Sequence, residues 1–201
     1  MWRRETVRAQ AHTLEAIIAS LMLLSSLVFA LQMTAVTPLS ASTSSQHIEN
    51  QQEATGNGVL VAAAEADALK PAILYWNNSA EEFHNVAGQE KYYTSGPPDN
   101  TFGRMLERTF NRQGIAYNVY LKFTSPSGEN VIRPYIYNGV PTDNAVTATY
   151  TVALTDDDPL YDADETANRT RIGDTNVTHP IQDTGRSHYN TVRLEVIAWR
   201  I

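Results

Sequence analysis

A long apolar run places the strongest constraint on how this chain can fold. It begins at Ala16 and continues to about Val36, and it contains no charged side chain. Its polar members are small or uncharged: Ser20, Ser25, Ser26, Gln32 and Thr34. A helix of about 21 residues at 1.5 Å per residue reaches about 30 Å, the thickness of a bilayer core. Because the run lacks the polar stripe of a helix buried in a water-soluble domain, it predicts a transmembrane helix.

The distribution of positive charge predicts the orientation of this helix. Three of the first ten residues are arginines, and the next basic residue after the run is Lys70. Since basic residues stay on the cytoplasmic side, we expect a single-pass protein with its N-terminus in the cytoplasm and the rest of the chain outside the cell. A secretory signal cleaved near Ala41 or Ser42 is the competing interpretation, although the apolar run is long for such a signal.

One ionisable side chain, Glu15, directly precedes the apolar run. A carboxylate deep in a membrane helix costs roughly 2.5–3.5 kcal/mol or more, so an acid at this position needs an explanation. Glu15 either has a function within the apolar layer or lies at the cytoplasmic edge, where it reaches headgroup water. Taken alone, its position favours the second interpretation.

The residues around Glu15 change that balance. A basic leader, a short polar junction, the sequence Ala-His-Thr-Leu-Glu over residues 11–15 and a long apolar helix resemble the type III, or prepilin-type, signal of type IV pilins. The resemblance implies cleavage between Gln10 and Ala11, which makes Glu15 the fifth mature residue. The archaeal form of the signal implies cleavage between Ala9 and Gln10 instead. Both alternatives retain the apolar helix.

The resemblance extends beyond the signal. Three blocks are similar to a haloarchaeal family of pilin-like membrane proteins: residues 10–16, 35–50 and 199–201. It covers most of the chain and is strongest in the first 75 residues. It implies a major or minor pilus subunit or a pseudopilin in adhesion or surface assembly, processed by a prepilin peptidase. Glu15 would then pair with the new amine of a neighbouring subunit, and small residues of the helix would allow close packing. These are Ala16, Ser20, Ser26, Ala30 and Thr34.

Composition restricts the class of protein. The chain has 22 acidic and 15 basic side chains, a net charge of −7, and its lysines are Lys70, Lys91 and Lys122. Acid-rich surfaces suit high salt, where screening reduces self-repulsion. Nucleic acid is not an expected partner, because no basic stripe is present to neutralise phosphates. The absence of cysteine excludes disulfides, thiolate catalysis and cysteine-based zinc sites.

The patterning divides the chain into four segments. They are a basic leader over residues 1–10, a transmembrane or filament-core helix over 11–37, an extracellular helix over 38–70 and an extracellular β-rich head domain over 71–201. Pro38 is expected to end or kink the first helix.

The second helix is expected to begin near Thr43 and to stop at Lys70 and Pro71, with a possible break at Gly56 and Gly58. Its weak heptad seam consists of Ile48, Gln52, Thr55, Val59, Ala62, Ala66 and Leu69.

The head is expected to combine one short helix with about four strands. Residues 72–76 form a first strand or a hydrophobic lead-in. A helix then follows a cap at Asp99 or Asn100 and ends at Gly114. Its apolar face consists of Phe102, Met105, Leu106 and Phe110.

Alternation of apolar and polar residues predicts strands over 115–124, 131–137, 146–154 and 192–199, with Pro134 placing the second at an edge. The predicted fold class is therefore α+β. A long hydrophobic helix continues into a second helix, which packs on an antiparallel sheet with one wetted face.

Candidate sites in the head are few. Six acids within ten residues could bind calcium through oxygen ligands, but they lack the alternation and the glycine of an EF-hand, so a solvated loop is favoured. They are Asp156, Asp157, Asp158, Asp162, Asp164 and Glu165. Asn77, Asn168 and Asn176 each begin an Asn-x-Ser/Thr glycosylation acceptor. No catalytic or cofactor motif is present, so neither an enzyme nor a cofactor is expected.

The sequence thus predicts a membrane-inserted, pilin-like surface protein whose partners are the membrane, a prepilin peptidase and other pilin-like subunits. The alternative is an uncleaved, signal-anchored binding module whose extracellular head contacts glycans, ions or proteins. A membrane-anchored hydrolase would need a catalytic constellation that the sequence does not display.

Overall fold

The structure is a computed structural model that describes the backbone of residues 3–185 and 187–200. Side chains are described for residues 12–32, 46–185 and 187–200. The chain divides into two compact units, Met1–Ile48 and Glu49–Ile201. The side chains of Ala9, Gln10 and Ala11, where processing is predicted, lie outside the described ones.

Helix α1 spans Arg3–Glu65. It continues through Pro38, where the sequence predicts an end or a kink, and through Thr43, where it predicts a new start. Pro38 does not end the helix, because a proline removes one hydrogen bond of the ladder while the turns on either side keep theirs. The helix also continues through Gly56 and Gly58.

The end of α1 is a Schellman motif, built where the sequence shows no glycine. Asp67 adopts the left-handed conformation with φ 50°. The amide of Ala68 donates to the Ala63 carbonyl over 2.8 Å, and the amide of Asp67 donates to the Ala64 carbonyl over 3.0 Å. These are the two bonds that satisfy the last carbonyls of a helix in this motif. Aspartate tolerates the left-handed region better than most residues. This explains why α1 ends at Glu65, before the predicted stop at Lys70.

Helix α2 follows over Leu69–Ile73. The predicted stop at Lys70 and Pro71 is therefore wrong, because Pro71 lies in the first turn of α2, where a missing amide donor costs nothing. Residues 72–76 are buried, as expected of a hydrophobic lead-in. Strand β1, Trp76–Asn77, then pairs with β2, Glu82–Phe83, in an antiparallel ribbon.

Helix α3 spans Thr101–Thr109 and confirms the predicted short helix. Asn100 caps it by accepting a hydrogen bond from the Gly103 amide over 2.8 Å, and a 3-10 turn leads to Gly114 at φ 66°. Gly103 is required here by a close approach. A Cβ at this position would lie 1.9 Å from the Pro98 carbonyl oxygen.

The central sheet has four antiparallel strands in the order β4-β3-β8-β5. They are β3 (Ile115–Thr124), β4 (Asn130–Ile136), β5 (Val146–Leu154) and β8 (Asn190–Arg200). A separate hairpin pairs β6, Pro159–Tyr161, with β7, Ala167–Arg171. The α+β class and the four-stranded antiparallel sheet are confirmed, and β4 lies at an edge, as Pro134 predicts.

One face of this sheet carries the core and the other is largely wetted. The covered face includes residues that are at most 1 % exposed: Tyr117, Val119, Leu121, Val192, Leu194 and Val196. Thr147, Thr149 and Thr151 are exposed on the opposite face.

Asn118 departs from the alternation, since it is buried on the face predicted to be polar. Its side chain accepts from the Asn138 amide and donates to the Gly139 carbonyl, both over 2.8 Å. These two bonds compensate for its burial.

Within the second unit, residues 49–65 of α1 contribute to the same core. Val59, Leu60 and Ala63 are buried, and a Cβ on Gly56 would lie 2.9 Å from the Cβ of Ala148 in β5. Gly56 therefore allows α1 to lie close to β5, and it does not interrupt the helix. The buried stripe departs from the predicted heptad seam, three members of which, Ile48, Ala62 and Ala66, are exposed.

Candidate functional site

The segment His12–Gln32 is long and apolar enough to cross a membrane. Its mean hydropathy is 2.2, and none of it is buried. Large apolar side chains are exposed around the whole helix, and they include Leu14, Ile17, Leu21, Met22, Leu24, Leu27, Phe29 and Leu31. Such a surface is far larger than the apolar patches that soluble monomers tolerate, so it needs apolar surroundings.

Two serines of this segment satisfy their hydroxyl groups within the helix. Ser20 Oγ donates to the Ala16 carbonyl over 2.7 Å, and Ser26 Oγ donates to the Leu23 carbonyl over 2.9 Å. Because a hydroxyl in hydrocarbon must have a partner, these local bonds make both serines compatible with lipid.

Glu15 lies in the first turn of the segment and is 81 % exposed. Its carboxylate Oε2 lies 3.7 Å from Nδ1 of His12, one helical turn earlier. An exposed pair of this kind contributes little to stability. Glu15 is therefore available to a partner outside its own chain.

The acidic residues near the β6–β7 hairpin are divided among separate contacts. Three of them form ion pairs: Lys70 with Asp158 at 3.0 Å, Arg171 with Asp157 at 3.0 Å and Arg104 with Glu165 at 2.6 Å. Asp162 accepts from Asn168, and Asp164 accepts from Thr166. In the described part of the chain, no group of three or more His, Asp or Glu side chains could hold a metal ion.

Glu165 connects the hairpin to α3. Its carboxylate accepts from the amide and the hydroxyl of Thr101, the first residue of that helix. Partial burial raises the pKa of Glu165, but the Thr101 amide and the Arg104 guanidinium outweigh that effect and lower it overall. The positive end of the helix dipole favours the same charged state. The role visible for this acid is structural.

The three glycosylation acceptors have different surroundings. Asn176 is exposed, whereas Asn77 and Asn168 are half-buried. The Asn77 carboxamide accepts from the amides of Ser79 and Ala80, and Asn168 donates to Asp162 over 3.0 Å. Asn176 is the most accessible of the three.

A cavity of about 450 Å³ lies in the head, and no sequence motif predicted it. Its lining comes from β1, β2, β3 and β4, from Glu81 before β2 and from residues 89–92 and 178–181. Its aromatic members Trp76, Phe83 and Phe123 are at most 5 % exposed, whereas the positively charged Arg133 of β4 is exposed. Because the lining converges from separated parts of the chain, only the folded structure reveals it.

Buried polar groups surround this cavity. Nδ1 of His179 accepts from the Ile181 amide over 3.2 Å, so the neutral ring carries its proton on Nε2, which faces the Ile73 carbonyl at 3.3 Å. Burial lowers the pKa of His179 to about 4. Within the described part of the chain, the indole N–H of Trp76 is buried and has no acceptor.

These features define a protein with a candidate membrane span among its described residues and an α+β head that contains a cavity. The chain belongs to a family of unknown function (DUF7288), whose model matches residues 8–198. No curated protein and no solved structure matches the chain.

Proposed function

We propose that the protein is a type IV pilin-like surface subunit, inserted in the membrane through its N-terminal helix and processed by a prepilin peptidase. The observation that carries the proposal is the fully exposed apolar segment His12–Gln32, with Glu15 in its first turn and a basic leader before it. The segment matches a helix that lies first in lipid and then against identical helices.

Transfer between these two surroundings requires little change in apolar contact. Lipid tails and neighbouring aliphatic side chains are similarly apolar, so packing and polar pairing decide whether helices associate. Ser20 and Ser26 have already satisfied their hydroxyls within the helix, and the exposed carboxylate of Glu15 offers an ionisable group for pairing. A carboxylate moved into an apolar bundle is tolerated only when it finds a positive partner. The new terminal amine of a neighbour would supply that charge.

The head would lie outside the cell, carried by the helical residues beyond the membrane segment. Burial of Val59, Leu60 and Ala63 supports a helix that packs on the sheet, as in the pilin plan. The proposed assignment is a leader over residues 1–10, a membrane or filament-core helix over 11–37, a helix over 38–70 and a head over 71–201.

The second candidate function is an uncleaved, signal-anchored binding module. The cavity in the head favours it, since a pilus subunit that serves only as a structural element needs no small-molecule site. The two functions differ in whether the leader is removed and in whether Glu15 matters.

The mature N-terminus, measured by mass spectrometry of protein from its native membrane, tests the proposal first. A start at Gln10 or Ala11 that disappears in a strain without prepilin peptidase is the expected result. An intact Met1 or Trp2 would replace the pilin assignment with the anchored module. A start near residues 41–42 would mean a secreted protein and contradict both.

Glu15→Gln tests the role of the acid. We expect loss of incorporation into filaments, because the amide has no charge to offer the neighbouring amine. Glu53→Gln is the matched control, since it changes an exposed glutamate of the same helix within the second unit. Normal incorporation of Glu15→Gln would remove the proposed role of Glu15.

A further inference from the structure

We infer that strand β5 is an interaction surface at which a second copy of this chain pairs its own β5, antiparallel and about a two-fold axis at Tyr150. Such pairing joins two four-stranded sheets edge to edge through the same surface of each copy. Strand β5 lies within the second unit, and the inference does not depend on filament assembly.

One edge of β5 has no strand beside it. Among the described residues, β5 pairs with β8 on one side and ends the sheet order on the other. Its sequence, Val146–Leu154, contains no charged residue, no proline and no glycine, and its register with β8 has no bulge. Natural edge strands are usually protected from further pairing by charges, prolines or bulges. Because β5 has none of these, it offers its unpaired backbone groups to another strand.

The opposite edge of the same sheet carries the protection that β5 lacks. Strand β4 has Arg133 and Pro134 at consecutive positions, and its register with β3 shifts at Tyr135. Its end is also covered, since the Tyr93 amide donates to the Tyr135 carbonyl over 2.9 Å. The two edges of the sheet therefore differ, and β5 is the one suited to pairing.

The core-facing side chains of β5 are incompletely covered. Val146, Tyr150 and Val152 are half-buried, whereas the residues of β8 paired with them are at most 1 % exposed. A strand laid along the free edge extends the core by one row and removes more of this apolar surface from water.

The residue pattern of β5 suits pairing with itself. It is nearly symmetric about Tyr150, with a threonine on each side followed by Ala148 and Val152. In the two-fold pair, threonine lies opposite threonine on the exposed face, and apolar residues lie opposite apolar residues on the core face. Tyr150 faces Tyr150 of the second copy. Cross-strand pairs of β-branched and aromatic residues of this kind stabilise antiparallel strands.

The charges on the neighbouring strand favour a second copy as the partner and select its register. On the exposed face, Glu195 of β8 lies beside Thr149, and Arg193 lies beside Thr151. Pairing about Tyr150 places Thr149 opposite Thr151 of the second copy. Each of these rows across the joined sheets then contains Glu195 from one copy and Arg193 from the other. A slip of two residues would instead place Glu195, or Arg193, in one row with its own copy, and like charges repel.

The side chains of these rows are arranged for this attraction. Arg193 is exposed and belongs to none of the ion pairs found among the described residues. Glu195 is bound to Lys122 at 2.6 Å, but Lys122 belongs to β3, on the side of β8 away from β5. Three strand spacings of about 4.8 Å separate the two backbones of a row, and only small threonines lie between them.

Cysteine cross-linking of the full-length chain in detergent micelles tests the pairing and its register. The chain contains no cysteine, so Thr149→Cys and Thr151→Cys introduce single thiols at exposed positions. The two variants carry tags of different mass, are mixed in equal amounts and are oxidised mildly. Because opposite Cβ atoms lie closer than diagonal ones, the mixed disulfide should exceed either homodisulfide by about fivefold or more, against about twofold for random collision.

The control uses the protected edge of the same sheet. Asn130→Cys mixed with Ile132→Cys places thiols at two exposed positions of β4 with the same spacing, and it should give the random ratio. Absence of cross-linking at β5, or the same ratio at both edges, would overturn the inference.

A charge exchange tests whether β5 pairs with itself. One chain carries Thr149→Lys and Thr151→Lys, and a second chain carries Thr149→Glu and Thr151→Glu. Thr147→Cys in one chain and Ala153→Cys in the other, both exposed and opposite each other in this register, report the pairing.

We expect cross-linking between lysine and glutamate chains, and at least about tenfold less when both chains carry lysine, because like charges then lie directly opposite each other. Association through the N-terminal helices alone would not distinguish these combinations. Equal cross-linking in both of them would therefore overturn the inference.

Discussion

The two units of this protein place their apolar side chains in opposite surroundings. None of His12–Gln32 is buried, whereas the head encloses most of its large apolar residues in one cluster. The head therefore obtains its stabilisation from its own sequence. The apolar segment His12–Gln32 obtains it from whatever covers the helix, and substitutions should separate these two sources.

The largest effect is expected in the head, at Gly103. Gly103→Ala places a Cβ 1.9 Å from the Pro98 carbonyl oxygen, so the cap of α3 must move. We expect a loss of about 3 kcal/mol or more in the free energy of unfolding. Urea denaturation of the full chain, followed by tryptophan and tyrosine fluorescence, measures it.

Gly58→Ala is the matched control, because its Cβ would have no atom within 4 Å. Gly58 is an exposed helical glycine, so this substitution should raise the free energy of unfolding by about 0.5–1 kcal/mol. Similar effects at the two glycines would show that the close approach at Gly103 does not limit the head.

A charge in the candidate membrane segment should have the next largest effect, and it should change membrane insertion alone. Leu24→Arg is expected to cost about 2.5–3.5 kcal/mol of insertion free energy and to leave unfolding of the head unchanged. Val140→Arg, at an exposed apolar residue of the head, should change neither. Partition between membrane and soluble fractions measures insertion. Normal insertion of Leu24→Arg would contradict a membrane-spanning segment.

Acid should weaken the head through His179. Its pKa is lowered from 6.5 to about 4 in the folded state, so the unfolded chain binds a proton that the folded chain refuses in this window. Stability then falls by about 1.4 kcal/mol per pH unit as the pH drops through it. Equilibrium unfolding at several pH values measures the slope.

His179→Gln should flatten that dependence, and His188→Gln, at a half-buried histidine near the surface, should leave it in place. An unchanged slope in His179→Gln would assign the acid sensitivity to other groups.

The smallest effect is expected at the contact between Arg104 and Glu165. Arg104→Gln should cost about 1 kcal/mol, because the Glu165 carboxylate also holds the first amide of α3. Arg171→Gln removes a more exposed ion pair and should change stability by less than about 0.5 kcal/mol. Equal losses in thermal unfolding would contradict a special role for the Arg104 contact.

Regular local patterns made much of the head predictable. Alternation located β3, β4, β5 and β8, and the cap at Asn100 with the stop at Gly114 located α3, because each signal acts within a few neighbouring residues. Asn118 was not predictable in this way. Its burial depends on its partners Asn138 and Gly139, which follow β4 and lie 20 and 21 residues further along the chain.

The ends and contacts of the helices were less predictable for the same reason. Pro71 by itself predicts the end of a helix. It lies in the first turn of α2, however, where its missing amide donor does not disrupt the helix. Gly56 by itself predicts a break in the helix. Its close approach to Ala148, about 90 residues away in sequence, shows why a glycine is needed there. The cavity depends on the meeting of several segments, so no local pattern identifies it.

The hydroxyls of Ser20 and Ser26 have a consequence for how the N-terminal helix behaves. Since each hydroxyl is bonded to the backbone of its own helix, neither serine needs a hydrogen-bond partner in the surrounding layer. Lipid can replace a neighbouring protein at these two positions, or the reverse, without either bond being broken. At these two turns the helix can thus exchange one apolar solvent for another.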